Sequence, residues 1–296
     1  GTELRIDSDL AGLAIDGIAP LRKSLAESLP TRIELISRAT GEDVQVQFGG
    51  SIGVRIERRP TSANGDLRLA RGVIAVNEPT NLPEQGLLVI ATLPRLDIDA
   101  WSNLLAPDAP PVRDGRPATA DGELRIDLVA LRADELIVQG HKVRNLTLGA
   151  TRQEDGSYAA NVVSDGATGY VGWRPASDPQ ALGQITARLS RLALSARRGE
   201  ELVAVLRAPP KQIPAMEVSV EQFELSDMKL GRLDLLAQNA GTGAGGTWRL
   251  QRLDITNPDM TLAATGEWGP APTGSGRRMQ LKFAIDAADG GAALGR

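Results

Sequence analysis

Few side chains in this 296-residue sequence could do chemistry. It has one histidine and no cysteine. A Ser-His-Asp arrangement would have to run through His141, and His141 has no second histidine with which to share a metal. It follows Gly140 where a strand or turn begins, so a solvent-facing strand residue is the expected role. Without cysteine there is no thiol nucleophile, disulfide or thiolate zinc site. The run GTGAGG, Gly241 to Gly246, resembles a phosphate-cradling loop. Such a loop needs a helix after it, but TWRLQRLDI follows, which reads as a strand, so GTGAGG is expected to be a turn. Asn145-Leu146-Thr147 fits the glycosylation triplet but falls inside an expected strand. Trp101, Trp173, Trp248 and Trp268 could stack sugars or, as strand-end residues often do, anchor a core. Asp and Glu total 37, mostly alternating with apolar residues as on a solvated sheet face. No cofactor and no metal are expected, and the chain is not expected to be an enzyme.

The elements that would carry these residues are strands. Period-two alternation dominates, as in Glu3–Asp7, Val44–Phe48, Gly53–Glu57, Gly65–Ala70, Gly122–Leu128, Gln184–Leu189, Glu217–Phe223, Arg232–Ala237 and Met279–Asp286. Val143–Val163, VRNLTLGATRQEDGSYAANVV, alternates, turns and alternates again, the pattern of a hairpin. One short helix is expected near 99–105, capped by Asp99 and ended by Pro107, and a weaker one over Gly199–Leu206. The expected fold class is therefore all-β, predominantly antiparallel. The expected divisions are a β-rich segment 1–106, a Pro-rich linker 107–120 and repeated β units over 121–296. Both chain ends are expected to continue into a longer protein.

The second portion repeats. Leu136–Ala150 aligns without a gap on Phe223–Ala237. Tyr158 in one copy answers Trp248 in the other, and Tyr170–Pro175 answers Thr265–Pro270. The units, about 131–175 and 220–270, would pair side by side into a long sheet.

Composition narrows function. A net charge of -4 gives no basic stripe for nucleic acid. Apolar residues make up 42% and aromatics 3%, so any apolar surface is aliphatic. No run is long enough for a membrane span. A sheet with one apolar face must bury it, against a second layer or around an apolar ligand. Alternation alone leaves both open.

Leu93–Leu105, Leu131–Ala150, Gly169–Pro175 and Leu230–Pro270 resemble the C-terminal region of the YhdP-type, AsmA-like proteins of Gram-negative bacteria. Tyr158 departs from the tryptophan expected there. The resemblance implies a long curved, repeat-built sheet forming a hydrophobic groove that moves phospholipids between inner and outer membrane. It further implies a periplasmic location, in a full-length protein anchored to the inner membrane through parts not present here. The partners would be phospholipid acyl chains and possible envelope proteins. Candidate lining residues are Leu124, Ile126 and Leu128; Leu146 and Leu148; Leu233 and Leu235; Leu250 and Ile255; and Leu281, Phe283 and Ile285. A single bulge would reverse any of these facings. Two rivals remain at this stage: a structural or protein-interaction scaffold of the cell envelope without lipid, and a carbohydrate-active protein using tryptophan and paired carboxylates.

Overall fold

The structure, a computed structural model, describes residues 1–15, 17, 20–61, 67–105, 125–138, 140–176, 183–194, 214–226, 228–240, 246–270 and 277–287. Leu124, the linker at 107–120, most of GTGAGG and the weaker helix at 199–206 lie outside the described residues. The chain divides into two compact units, Gly1–Thr151 and Arg152–Arg296. Both are all-β, as the alternation demands.

The first unit orders its strands in sequence: β1 (Thr2–Ser8), β2 (Thr31–Arg38), β3 (Gly41–Phe48), β4 (Ile52–Pro60), β5 (Leu67–Val76), β6 (Gly86–Asp97), β7 (Ile126–Val138) and β8 (His141–Arg152). One helix, α1 (Ile98–Leu105), follows β6. The second unit does the same with β9 (Tyr158–Val163), β10 (Ala167–Arg174), β11 (Gln184–Leu194), β12 (Ala215–Leu225), β13 (Met228–Ala240), β14 (Thr247–Asn257), β15 (Met260–Pro270) and β16 (Arg277–Ala287). Pairing is mostly antiparallel, but β5–β6, β6–β7 and β11–β12 are parallel. Parallel neighbours need a crossover rather than a tight turn. Alternation carries no record of strand direction, so the sequence reading missed them.

The repeat is topological. Each copy opens on a strand parallel to the one before it, β7 or β12, followed by a hairpin partner, β8 or β13. The later hairpins, β9–β10 and β14–β15, bring the aligned aromatics face to face. Tyr158 sits opposite Trp173, and Trp248 sits opposite Trp268. The Tyr158 and Trp173 rings lie 6.1 Å apart and tilted by 34°, within the range of a favourable aromatic pair. Trp248 donates its indole N–H to the Pro214 carbonyl at 3.2 Å.

The helix cap differs from the expectation. Asp97, not Asp99, caps α1 by accepting the Ala100 N–H at 2.9 Å. Ala100 is the third helical residue, which a capping carboxylate reaches. Asp99 lies inside the first turn and accepts the Gly140 N–H instead, at 2.7 Å. This ties the helix to the turn between β7 and β8. Gly140 needs its φ of +75° there, which only glycine adopts without strain.

The core of the second unit runs across the sheet through Ala187, Leu189, Val220, Phe223, Leu233 and Ile255. Val220 is 0% exposed, whereas Phe283 on the last strand is 68% exposed. Urea unfolding should separate them. Val220→Ala is expected to cost ~2 kcal/mol, since it leaves a cavity. Phe283→Ala should change stability by less than about 0.5 kcal/mol.

Candidate functional site

Strand partners directly opposite each other project to the same face of a sheet. The ladders therefore show how far an apolar face extends. In the first unit one row runs Ile6, Ile33, Val46, Val54, Ile74, Val89, Val129 and Ala150, crossing all eight strands from β1 to β8. In the second a row runs Val162, Gly169, Leu189, Val220, Leu233, Ile255, Leu262 and Ile285, from β9 to β16. A parallel row runs Ala160, Val171, Ala187, Val218, Leu235, Leu253, Ala264 and Phe283. Neighbouring strands are ~4.8 Å apart, so each row is a continuous apolar track of about 34 Å, measured along the strand-to-strand ladder. None of its residues is charged or polar.

Among the described residues the strands pack broadly against their lateral neighbours, and α1 packs against β7. Many apolar-face residues accordingly stay half-exposed. The last strand exposes Leu281, Phe283 and Ile285. Among the described residues, no second sheet closes over either apolar face.

The candidate lining residues of the second unit all share the apolar face: Leu233, Leu235, Leu250, Ile255, Leu281, Phe283 and Ile285. Strict alternation would put Leu250 and Ile255 on opposite faces. A bulge between Leu250 and Leu253 adds a residue to β14 and brings them together. The same slip of period separates Val220 from Phe223 on β12. In the first unit Leu146 and Leu148 pair with Ala133 and Leu131 on the apolar face, while Thr147 pairs with Arg132 on the other.

Leu128 corrects the expected grouping of Leu124, Ile126 and Leu128. A register shift leaves Ile126 opposite Leu87 but Leu128 opposite Leu88, so Ile126 and Leu128 face opposite ways. The residue between them, Asp127, turns its carboxylate inward to accept the Leu87 N–H at 2.9 Å. That bond occupies a backbone donor that a regular ladder would have used.

The sequence reading named no lining residue in β1–β6. Ile33, Leu35, Val44, Val46, Val54 and Val89 belong to the same face. Their signal was present, since VQVQF and GVRIE alternate cleanly, but the repeat drew attention to the second half.

The opposite face carries the charge. Asp234 accepts two bonds from Arg232 and one from Ser219. The Arg232 guanidinium holds its carboxyl below the ordinary aspartate value against the upward push of burial, and Ser219 adds a smaller downward pull. Arg32 and Arg5 do the same for Asp7, and Arg59 for Asp43. Among the described residues the most buried acid is Glu57, 7% exposed. Arg71 and Arg59 donate to it at 2.9 and 3.0 Å. These are ion pairs of a solvated sheet surface, not an acid and base held apart for proton transfer.

No group of three or more His, Cys, Asp or Glu among the described residues could hold a metal ion. His141 begins β8. Trp248 and Trp268 are buried at 6% and 5% exposure, so neither offers a sugar-stacking platform. What the arrangement can do is hold something long, flexible and apolar against an aliphatic surface.

A carboxylate held low by an arginine stabilises the fold above its ordinary value, 3.8 for aspartate. That contribution is lost as pH falls through the lowered folded-state value. Asp234→Asn should therefore lower the thermal midpoint by about 1–3 °C at pH 7, since the pair is partly solvated. At pH 2 the variant and the parent chain should melt together.

Compared with known families, the whole chain, residues 1–296, matches the family model described as YhdP protein. No curated protein and no solved structure matches it.

Proposed function

Because the chain belongs to the YhdP family, a lipid-transport family of the Gram-negative envelope, we propose that its apolar sheet faces carry phospholipid acyl chains between the inner and outer membranes. The observation that carries this reading is the transverse row. Eight consecutive strands in each unit contribute apolar side chains to one track. A lipid moves along such a track without crossing a polar step.

The energetics favour a track over free diffusion. An acyl chain of about 16 carbons, at ~0.8 kcal/mol per methylene, meets on the order of 10 kcal/mol on entering water. A continuous aliphatic surface removes most of that penalty at every position along the way. Valine, leucine, isoleucine and alanine suit this task. They offer area without the directional contacts that would trap a chain in one pose. Transfer of this kind requires no covalent step.

The proposed setting is the periplasm, in a longer protein whose other parts reach the membranes. Leu146, Leu148, Leu233, Leu235, Leu250 and Ile255 would contact the chains. In the second unit Leu281, Phe283 and Ile285 would extend the surface at its exposed strand; in the first, Ile126 would contact the chains from β7.

Photo-crosslinking in living cells tests this. A photoreactive residue at Leu148 in the full-length protein should capture phospholipid, and one at Thr147 should not, because the two face opposite ways. Lipid at neither position, with a protein crosslinked at one of them, would replace the reading with that of an interaction scaffold. Leu148→Asp and Leu235→Asp should lower lipid capture while leaving a cooperative thermal transition. Loss of that transition would place these leucines in an ordinary core.

A further inference from the structure

The apolar rows occupy one face of each sheet, and on the other face arginine and acid are mostly matched. Arg5 and Arg32 answer Asp7 and Glu34 in the first unit. In the second, Arg232 answers Asp234 and Arg249 answers Glu267.

One region of the charged face breaks this balance. Among the described residues of β2 to β5 from Arg38 to Arg71, that face carries five arginines, Arg38, Arg55, Arg59, Arg68 and Arg71, against two acids, Asp43 and Glu57. The ladder sets all seven on one side. Asp43 stands opposite Glu57, Glu57 opposite Arg71, and Arg59 opposite Arg68. Arg55 and Arg59 flank Glu57 two residues away along β4. Arg38 lies two residues beyond Ile36, the partner of Asp43 on β2. Arg58 and Glu42 pair with each other on the opposite, apolar face and take no part.

The two acids organise the cluster. Glu57 accepts from Arg71 at 2.9 and 3.2 Å and from Arg59 at 3.0 Å. Asp43 accepts from Arg59 at 2.9 Å and from Arg38 at 3.0 Å. A guanidinium carries five donors in a planar fork, so a carboxylate that grips one side fixes the direction of the others. Those other donors sit on side chains that remain 40–55% exposed. Two arginines are not gripped at all. Arg55 reaches Glu57 only at 3.7 Å. Arg68 has no acidic partner among the described residues, and it faces Arg59, where like charges repel.

An anionic partner would relieve that repulsion, and three features select an acidic peptide segment over a lipid surface. The cations are all arginine, whose fork matches a carboxylate in two places, whereas a lipid surface asks only for positive charge. No exposed large apolar side chain accompanies them to enter a bilayer, since the exposed Leu4, Ile6 and Leu67 belong to the other face. Four strands at ~4.8 Å spacing also give a width of about 14 Å, the reach of about four extended residues.

We propose that this arginine cluster on the charged face of the first unit is the docking site for an acidic segment of a partner protein. Arg55 and Arg68 supply the uncommitted forks. Glu57 and Asp43 are positioning residues that hold Arg38, Arg59 and Arg71 around them. The site lies on the face turned away from the apolar track, so a docked partner leaves the track open. It stands independently of the lipid reading.

The test uses the full 296-residue chain and fluorescently labelled octaglutamate, with octaglutamine as the neutral control, followed by anisotropy. Octaglutamate should bind at about 50 mM salt and weaken several-fold at about 200 mM, as screening requires. Octaglutamine should not bind. The double substitution Arg55→Gln, Arg68→Gln should weaken octaglutamate binding about tenfold, the loss expected for charge-assisted hydrogen bonds. Arg68→Glu alone leaves the Glu57 network intact, should weaken binding in the same direction and guards against misfolding of the double variant. Arg232→Gln, taken from a matched pair in the second unit, should leave binding unchanged. No octaglutamate binding by the parent chain, or an equal loss in Arg232→Gln, overturns the docking site. Binding to phosphatidylglycerol vesicles that requires Arg55 and Arg68, without binding to octaglutamate, overturns it in favour of a membrane contact.

Discussion

Everything in this protein depends on keeping lateral hydrogen-bond register across many strands. The side-chain period of a strand is two, so a slip of one residue turns every side chain to the other face. A single slipped strand would interrupt each apolar row with charge. The rows through Val54 and Val220 each cross eight strands without such an interruption. Register is enforced by chemistry on both faces: a slip would bury arginine on one side and expose leucine on the other.

Where the ladder does slip, the slip has a compensating structure. On β14 the extra residue between Leu250 and Leu253 keeps Leu250 and Ile255 on one face despite their odd spacing. On β7 the shift at Asp127 costs the apolar face Leu128, but the carboxylate satisfies the Leu87 N–H. Bulges also increase the local twist of a sheet. They let long strands keep a continuous surface without flattening into an aggregation-prone edge.

The charged face and the apolar face serve one another. Ion pairs such as Arg232–Asp234 are too exposed to stabilise the fold strongly. Their effect is on placement, since every one of them would be costly on the aliphatic side. The apolar face in turn needs no catalytic group. Its chemistry is the free energy of apolar area removed from water, spread evenly so that no position binds too tightly. Membership of the YhdP family and this even aliphatic surface point the same way.

The sequence alone determined the class of fold, the repeat and much of the apolar face. Period-two alternation is a local property, so ELRID or MQLKFAID reveals its strand without neighbours. The aligned positions Tyr158 and Trp248, and Trp173 and Trp268, were legible as equivalents before their cross-strand contacts were. Three things lay beyond it. The parallel pairs were invisible because alternation reads the same in either direction. The facing of Leu128 and the union of Leu250 with Ile255 were decided by bulges, which depend on how a strand meets its partner. The pairing of Arg71 with Glu57 joins residues on two different strands, and only the ladder brings such residues side by side. Local pattern determines what a strand can bury, and pairing determines what it is buried with.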